Sequence, residues 1–176
     1  ARDLQRLGVI LGEVVHKAGD LRMHLGTAEG GIGGLLAGLS PSEVEALTNY
    51  GTAFGMVFQI VDDILDITAT DAQLGKPAGH DIVEGVYTLP VLRTLALDSA
   101  ASAELADLLG SPLDAAAQDK ALAILRSNDG LASSIETAQD YVDRAVAACD
   151  DFADSPASDA LRAAPGALIA SVSVAA

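Results

Sequence analysis

Apolar side chains recur at intervals of three and four residues along most of this 176-residue chain. The first such run extends from Leu4 to Leu25 and predicts a helix with one buried face. The stretch that follows, residues 26–39, is rich in Gly and Ala. It lacks the Gly-x-Gly-x-x-Gly spacing of a nucleotide-binding loop and follows a helix rather than a strand, so we expect close helix packing there.

The clearest helix start comes directly after this stretch. Ser40 can cap a helix, Pro41 suits the first helical position, and Glu43 stands at the offset of a capping box. The apolar pattern beyond it predicts a helix of about thirty residues that ends near Thr70. A polar, Gly-rich connection follows in residues 71–81.

Proline, serine and glycine positions divide the next part of the pattern. Pro90 is expected to kink or interrupt a helix in residues 86–97, because proline has no N–H and its ring clashes with the preceding turn. The run Ser111-Pro112-x-Asp114 repeats the capping signature and predicts another helix start. That helix is expected to end near Asn128-Asp129-Gly130.

The C-terminal part of the pattern predicts two more helices. One runs from about Ala132 to Ala153, and a short one begins at Ser155 and is broken at Pro165. No low-complexity linker and no internal repeat divides the chain. We therefore expect residues 1–176 to form a single all-α unit of about six or seven helices.

Composition predicts the type of side chain in the core and argues against one class of binding partner. Half of the residues are hydrophobic but only 3% are aromatic and none is Trp, which predicts a core of aliphatic side chains. Ten basic residues against 25 acidic ones give a net charge of −15. Nucleic acid is therefore not an expected partner, because phosphate binding requires a basic face.

Cysteine content and hydropathy indicate the compartment. Cys149 is alone, which excludes an internal disulfide and suits a reducing cytoplasm. The sequence offers no window near the roughly 18–20 uncharged apolar residues that a membrane-spanning helix needs. The sequence opens at Ala1, without Met and inside an amphipathic pattern, so we expect it to be part of a longer chain.

Three aspartates stand within five positions of an otherwise apolar helical run, at Asp62, Asp63 and Asp66. A helix advances by about 100° per residue, so Gln59, Asp62 and Asp66 share one face while Asp63 points to one side. Stacked carboxylates repel each other unless a cation lies between them, and oxygen ligands of this kind suit Mg²⁺. The alternative is a solvated helix end that carries acidic residues.

The connection after this helix carries two further charged residues of interest. Lys76 and Asp81 bracket a Pro-Ala-Gly-His loop that could fold back over the helix end. A lysine beside metal-bridged phosphates would neutralise the remaining negative charge. Alone, a lysine in such a position is more often an ordinary loop lysine.

Residues 55–66, GMVFQIVDDILD, resemble GxxFQxxDDxxD, the second aspartate-rich motif of trans-polyprenyl diphosphate synthases. The resemblance continues in residues 75–81, which match the GKxxGxD of that family, and in residues 88–90, which match its TLP. It implies an all-α fold of the isoprenoid-synthase type, a bundle of long helices of which this chain carries the C-terminal half.

The resemblance implies a prenyl transfer. Family members condense an allylic diphosphate with isopentenyl diphosphate, and Mg²⁺ ions bridge two aspartate-rich motifs to the allylic diphosphate. By matching position, Asp62 would bind Mg²⁺ directly and Asp63 would complete the acidic site. Asp66 would also belong to the metal site, and Asp81 would order metal-bound water.

Two other positions would serve the substrates. Lys76 would bind the diphosphate together with Asp81, and Gln59 would face the reacting allylic end. The lysine that family members commonly carry before TLP is Val86 here, which removes one diphosphate contact. The resemblance further implies a homodimer in the cytoplasm, brought near a membrane by its lipid product.

Residues 1–57 contain nothing that resembles the first aspartate-rich motif of the family. We therefore expect residues 1–176 alone to be inactive and the missing half to be supplied by the same longer chain or by a partner. Two alternatives stay open: a non-catalytic subunit that modulates a prenyl synthase, and a squalene/phytoene- or terpene-type synthase.

Overall fold

The computed structural model describes residues 31–69 and 78–175 of the chain. Every regular element in these two ranges is helical, which confirms the predicted all-α fold. The helices are α1 (31–36), α2 (Pro41–Thr68), α3 (His80–Val83), α4 (Leu89–Leu95), α5 (Ala100–Leu109), α6 (Ala115–Arg126), α7 (Asp129–Ala147) and α8 (Pro156–Ala175). The helix predicted from Leu4 to Leu25 lies outside the described residues.

The chain divides into two compact units. Of the described residues, one unit contains 31–59 and 138–170, and the other contains 60–69, 78–137 and 171–175. Each has its own cluster of buried apolar side chains. The cluster of the first is Tyr50, Ala53, Ala145 and Cys149, and that of the second includes Ile67, Ala78, Ile82, Val91, Leu105, Leu122 and Leu125.

The capping box predicted at the start of α2 is confirmed. The Ser40 backbone N–H donates to the Glu43 carboxylate at 2.8 Å, and the Glu43 N–H donates to Ser40 Oγ at 3.4 Å. The Ser40 hydroxyl also donates to the carboxylate at 2.6 Å, and these bonds lower the pKa of Glu43. The helix ends at Thr68, close to the predicted Thr70.

Two of the wrong boundary predictions involve a proline near a helix start. Pro90 does not interrupt a helix but lies in the first turn of α4. Backbone N–H groups in the first turn have no intrahelical acceptor, so the N–H that proline lacks is not needed there. In the second case α6 begins at Ala115 rather than near Ser111, and Asp114 is its cap: the Ala117 N–H donates to Asp114 Oδ1 at 2.8 Å.

The helix end predicted near residues 128–130 lies at Arg126, and the helix predicted from Ala132 to Ala153 spans Asp129–Ala147. Gly130 therefore lies in the first turn of α7. Its role is close packing, since a Cβ at this position would stand 2.6 Å from the backbone N and 2.9 Å from the Cα of Thr94 in α4. Arg93 reinforces the same contact by donating to Ser133 Oγ and, at 2.8 Å, to Thr137 Oγ1. The missing side chain therefore lets α4 lie against α7.

Pro165 does not break the last helix, which continues to Ala175. A proline at position 165 cannot donate to the carbonyl of Leu161, four residues earlier. In the structure that carbonyl accepts a hydrogen bond from the Tyr50 hydroxyl at 3.0 Å. The tyrosine of α2 therefore replaces the donor that the proline removes.

Candidate active site

The three aspartates of α2 differ in exposure. Asp62 is exposed, whereas Asp63 and Asp66 are only 7% and 4% exposed. The helix around them is packed on most sides, since Val61 and Ile64 are almost completely buried. A solvated acidic helix end does not describe this segment, because two of its three carboxylates are buried.

Asp66 is buried although it shares a helix face with the exposed Asp62, because the chain returns over it. The Gly79 N–H donates to the carbonyl of Asp66 at 2.7 Å, and the Asp81 N–H donates to its Oδ2 at 3.2 Å. The return over the helix end that the sequence suggested is therefore present. We call these two bonds to Asp66 the clasp.

Gly79 allows the clasp to form. Its φ of 72° lies in the left-handed region, which glycine adopts without strain. The position is also crowded, because a Cβ there would lie 3.0 Å from a methyl carbon of Leu122. The second glycine of the GKxxGxD run is thus required by both backbone conformation and packing.

Asp81 follows within the short helix α3 and is half-buried. Its carbonyl accepts from the N–H of Val86 at 2.8 Å, which ends the turn after α3. Val86, which stands where a lysine was expected, is 46% exposed. His80 beside it pairs with Glu84 at 3.3 Å on the exposed side.

Two predicted site residues remain, Lys76 and Gln59. Lys76 lies outside the described residues. Gln59 is half-buried in α2, one turn before the aspartates.

Helix α6 supplies contacts that sequence reasoning missed. Gln118 Nε2 donates to the carbonyl of Ala78 at 2.7 Å, and Arg126 Nε donates to the carbonyl of Ile67 at 2.7 Å. These bonds hold the two segments that meet in the clasp. Their four-residue spacing with Leu122 was visible in the sequence, but the segments that they contact were not.

The carboxylates at the end of α2 suit Mg²⁺ as an open site rather than as a closed cage. In residues 31–69 and 78–175 no three His, Cys, Asp or Glu side chains form a cluster able to hold a metal ion. A closed protein cage is not what Mg²⁺ requires, since it commonly keeps waters and binds one or two carboxylates together with substrate phosphates. An exposed Asp62 backed by two buried carboxylates fits that mode.

A cavity of about 440 Å³ lies elsewhere in the described structure. Its walls come from α4 and the start of α7 and include Leu92, Arg93 and Ser133. None of the predicted site residues that the structure describes lines it. No helix in the described part of the chain has the length and apolar character to cross a membrane.

Known proteins resemble this chain over most of its length. The polyprenyl synthetase family model matches residues 22–125. Nonaprenyl diphosphate synthase of Mycobacterium tuberculosis is 36% identical over 137 residues, covering 77% of this chain and 41% of that protein. Heptaprenyl diphosphate synthase component 2 of Geobacillus stearothermophilus is 37% identical over 131 residues, covering 74% and 40%.

A solved structure agrees in fold. Geranylgeranyl pyrophosphate synthase from Corynebacterium glutamicum, crystallised with calcium and isoprenyl diphosphate, superposes with a TM-score of 0.76 at 38% identity. The superposition covers 83% of this chain and 46% of that one. The chain thus spans less than half the length of these three proteins. With a family model that matches residues 22–125, the chain belongs to the polyprenyl synthetase family.

Proposed function

We propose that this protein, as part of a longer chain, is a Mg²⁺-dependent prenyltransferase that condenses an allylic diphosphate with isopentenyl diphosphate. The observation that carries the proposal is an exposed Asp62 on the same helix face as a buried Asp66, to which Gly79 and Asp81 donate hydrogen bonds. The hydrogen bond from Asp81 to Asp66 connects the two motifs at one end of α2, although the two residues are fifteen positions apart in the sequence.

The reaction breaks the C–O bond of the allylic diphosphate and releases pyrophosphate. The double bond of isopentenyl diphosphate then attacks the allylic carbon, and loss of a proton restores a double bond in the longer product. Bound Mg²⁺ would supply the positive charge that neutralises the leaving diphosphate. The remaining tasks belong to side chains of the protein.

Asp62 is the side chain that we assign to direct metal binding, because its carboxylate is exposed at the end of the helix. Asp66 is held in place by the clasp and, with Asp63, completes the acidic site. Asp81, placed beside Asp66 by its own N–H, would order metal-bound water and take part in diphosphate binding.

Lys76 and Gln59 would act on the substrates. The ammonium group of Lys76 would donate to diphosphate oxygens. Gln59 lies on the helix face of Asp62 and would orient the allylic end.

Comparison with relatives supports the choice of ligands. The Corynebacterium glutamicum enzyme was crystallised with calcium and isoprenyl diphosphate, so a homologue 38% identical to this chain was captured with a divalent cation and a diphosphate. We propose Mg²⁺ and the same class of substrate here. We also propose a cytoplasmic homodimer that approaches membranes through its product.

The test is a kinetic comparison of the complete gene product with two single variants. Asp62→Ala should lower kcat by at least about two orders of magnitude, since it removes a group that positions charge against a developing anion. Asp119→Ala is the matched control, because Asp119 is an exposed aspartate on α6. Turnover of the Asp62 variant within a few-fold of the control would overturn the assignment.

A second candidate is a subunit that works only with another chain. The name of the Geobacillus stearothermophilus relative, component 2 of a heptaprenyl diphosphate synthase, favours it. Purified alone, such a subunit would be inactive and would gain activity on addition of its partner. Hydrocarbon products instead of linear diphosphates would indicate a squalene/phytoene- or terpene-type synthase.

A further inference from the structure

One face of α6 contacts both chain segments that meet at the clasp. Gln118, Leu122 and Arg126 are separated by four residues each, so they form one stripe along the helix. All three lie outside the motifs quoted above. The stripe nevertheless reaches the end of α2 at one extremity and the segment before α3 at the other.

Arg126 holds the end of α2. Its Nε–H donates to the carbonyl of Ile67 at 2.7 Å. This carbonyl belongs to the last turn of the helix, where no later residue of the helix can donate to it. The guanidinium also places a positive charge at the negative end of the helix dipole. The turn fixed in this way is the one that contains Asp66.

Gln118 and Leu122 hold the returning segment. Gln118 Nε2 donates to the carbonyl of Ala78 at 2.7 Å. Leu122 fills the space beside Gly79, where an added Cβ would approach its Cδ2 to 3.0 Å. Ala78 and Gly79 lie three and two residues before Asp81, whose N–H closes the clasp on Asp66.

We propose that Gln118 and Arg126 are positioning residues for the metal and diphosphate site. By fixing Ile67 and Ala78 from one rigid helix, they hold Asp81 against Asp66 before any ligand arrives. Ordering two segments on binding would otherwise cost conformational entropy. The inference rests on the proposed function, because it assumes that Asp66 and Asp81 serve Mg²⁺ and a diphosphate.

A purely structural role predicts something different. If the two side chains only stabilise the fold, their loss should lower the melting temperature and leave the affinity of the folded protein for ligand unchanged. If they position the site, their loss should weaken ligand binding at temperatures where the variant is fully folded. The two roles are therefore separated by an affinity measured well below the melting temperature.

The experiment measures Mg²⁺-dependent binding of inorganic pyrophosphate by calorimetry on the complete gene product. Gln118→Met and Arg126→Met remove the donors while keeping an unbranched side chain, and the double variant removes both. We expect the double variant to require about tenfold more Mg²⁺ for half-saturation, in the range typical of groups that orient metal ligands. Each single variant should show a smaller shift in the same direction.

Matched controls and a partial rescue accompany these variants. Gln139→Met and Arg144→Met change the same residue types at exposed positions of α7 and should leave binding unchanged. Arg126→Lys keeps a cation near the Ile67 carbonyl and should recover part of the loss.

Hydrogen exchange provides a readout independent of ligand, because the amides of Gly79 and Asp81 should exchange faster in the Met variants.

The outcomes are distinct. Weakened binding with faster exchange supports the inference. Unchanged binding in both single variants, while Asp62→Ala abolishes binding, overturns it and leaves the proposed function standing. No pyrophosphate binding by the unaltered protein at any Mg²⁺ concentration would overturn the proposed function and, with it, this inference. The single variants keep the test decisive if the double variant does not fold.

Discussion

At the scale of single residues, the exposure of the aspartates depends on a contact with residues outside the helix, which a helical wheel does not represent. The wheel places Asp62 and Asp66 on one face, yet one is exposed and the other is 4% exposed. The difference comes from Gly79 and Asp81, whose N–H groups cover Asp66. The motif predicted which residues matter, and the fold decides which of them solvent can reach.

Gly79 is the residue on which this cover depends, and its replacement is the first prediction. Gly79→Ala should lower the free energy of unfolding by about 2 kcal/mol, because it combines a left-handed φ with overpacking against Leu122. Gly85→Ala separates the two effects, since its φ is also positive, at 77°, but no atom lies within 4 Å of the added Cβ.

Urea unfolding of both variants provides the measurement. Gly85→Ala should cost about 1 kcal/mol, from backbone strain alone. Gly166→Ala, in the interior of α8 with open space around its Cβ, should instead stabilise by about 0.5 kcal/mol. A cost at Gly79 equal to that at Gly85 would show that the contact with Leu122 is unimportant.

At the scale of elements, the capping box of α2 was predicted correctly and the effects of two prolines were not. Ser40 and Glu43 act within one turn, so their bonds are determined by local sequence. The effect of Pro165 depends instead on Tyr50, which is 111 positions earlier in the chain. Local signals therefore located the starts of α2 and α8 but did not predict α5. The continuation of α8 through a proline required a distant donor.

The second prediction is that the Leu161 carbonyl can accept either from the Tyr50 hydroxyl or from a backbone N–H at position 165. Tyr50→Phe should cost about 1 kcal/mol, because it leaves the Leu161 carbonyl without its hydroxyl donor. In a Pro165→Ala background the new N–H at position 165 can serve that carbonyl, so the cost of Tyr50→Phe should fall by half or more. A double-mutant cycle of unfolding free energies measures this coupling. Additive costs would contradict the account.

The contact between α4 and α7 gives the third prediction. Gly130→Ala should destabilise by about 2 to 3 kcal/mol, because the added Cβ would stand 2.6 Å from the backbone N of Thr94 and two helices would have to separate. Thermal unfolding monitored by circular dichroism measures the effect. Gly166→Ala again serves as the control, and an equal response of the two variants would refute the close contact.

At the scale of the whole molecule, the alkaline limit of stability follows from buried weak acids. Burial raises the pKa of Tyr50 and of Tyr87 above the ordinary 10.0, and that of the Cys149 thiol above 9.0. The unfolded chain loses these protons at lower pH than the folded chain. The stability they contribute is therefore complete below about pH 9 and is lost as pH rises through the raised values.

The fourth prediction is a decline of the unfolding free energy above about pH 10, measured by urea titration at a series of pH values. Replacing Tyr50 and Tyr87 together by Phe should make this alkaline decline shallower, since two of the three groups no longer titrate. An identical slope in the double variant would show that other groups control the alkaline limit.

Sequence alone predicted the family and the helical class, because the run from Gly55 to Pro90 combines three motifs at fixed spacing. It did not predict the stripe of Gln118, Leu122 and Arg126. Gln118 and Arg126 donate to backbone carbonyls. Every residue has a backbone carbonyl, so the sequence does not reveal which one is the acceptor. The chain also spans 40–46% of the lengths of the three proteins compared with it, so the activity of the whole protein is a proposal.

Product analysis of the complete gene product tests the central claim most directly. The protein would be incubated with an allylic diphosphate, isotopically labelled isopentenyl diphosphate and Mg²⁺, and the products identified by mass spectrometry. The account predicts linear prenyl diphosphates extended by whole five-carbon units, with equimolar pyrophosphate release that stops when EDTA removes the metal. Both substrates recovered unchanged, with Mg²⁺ present and the protein folded, would contradict it.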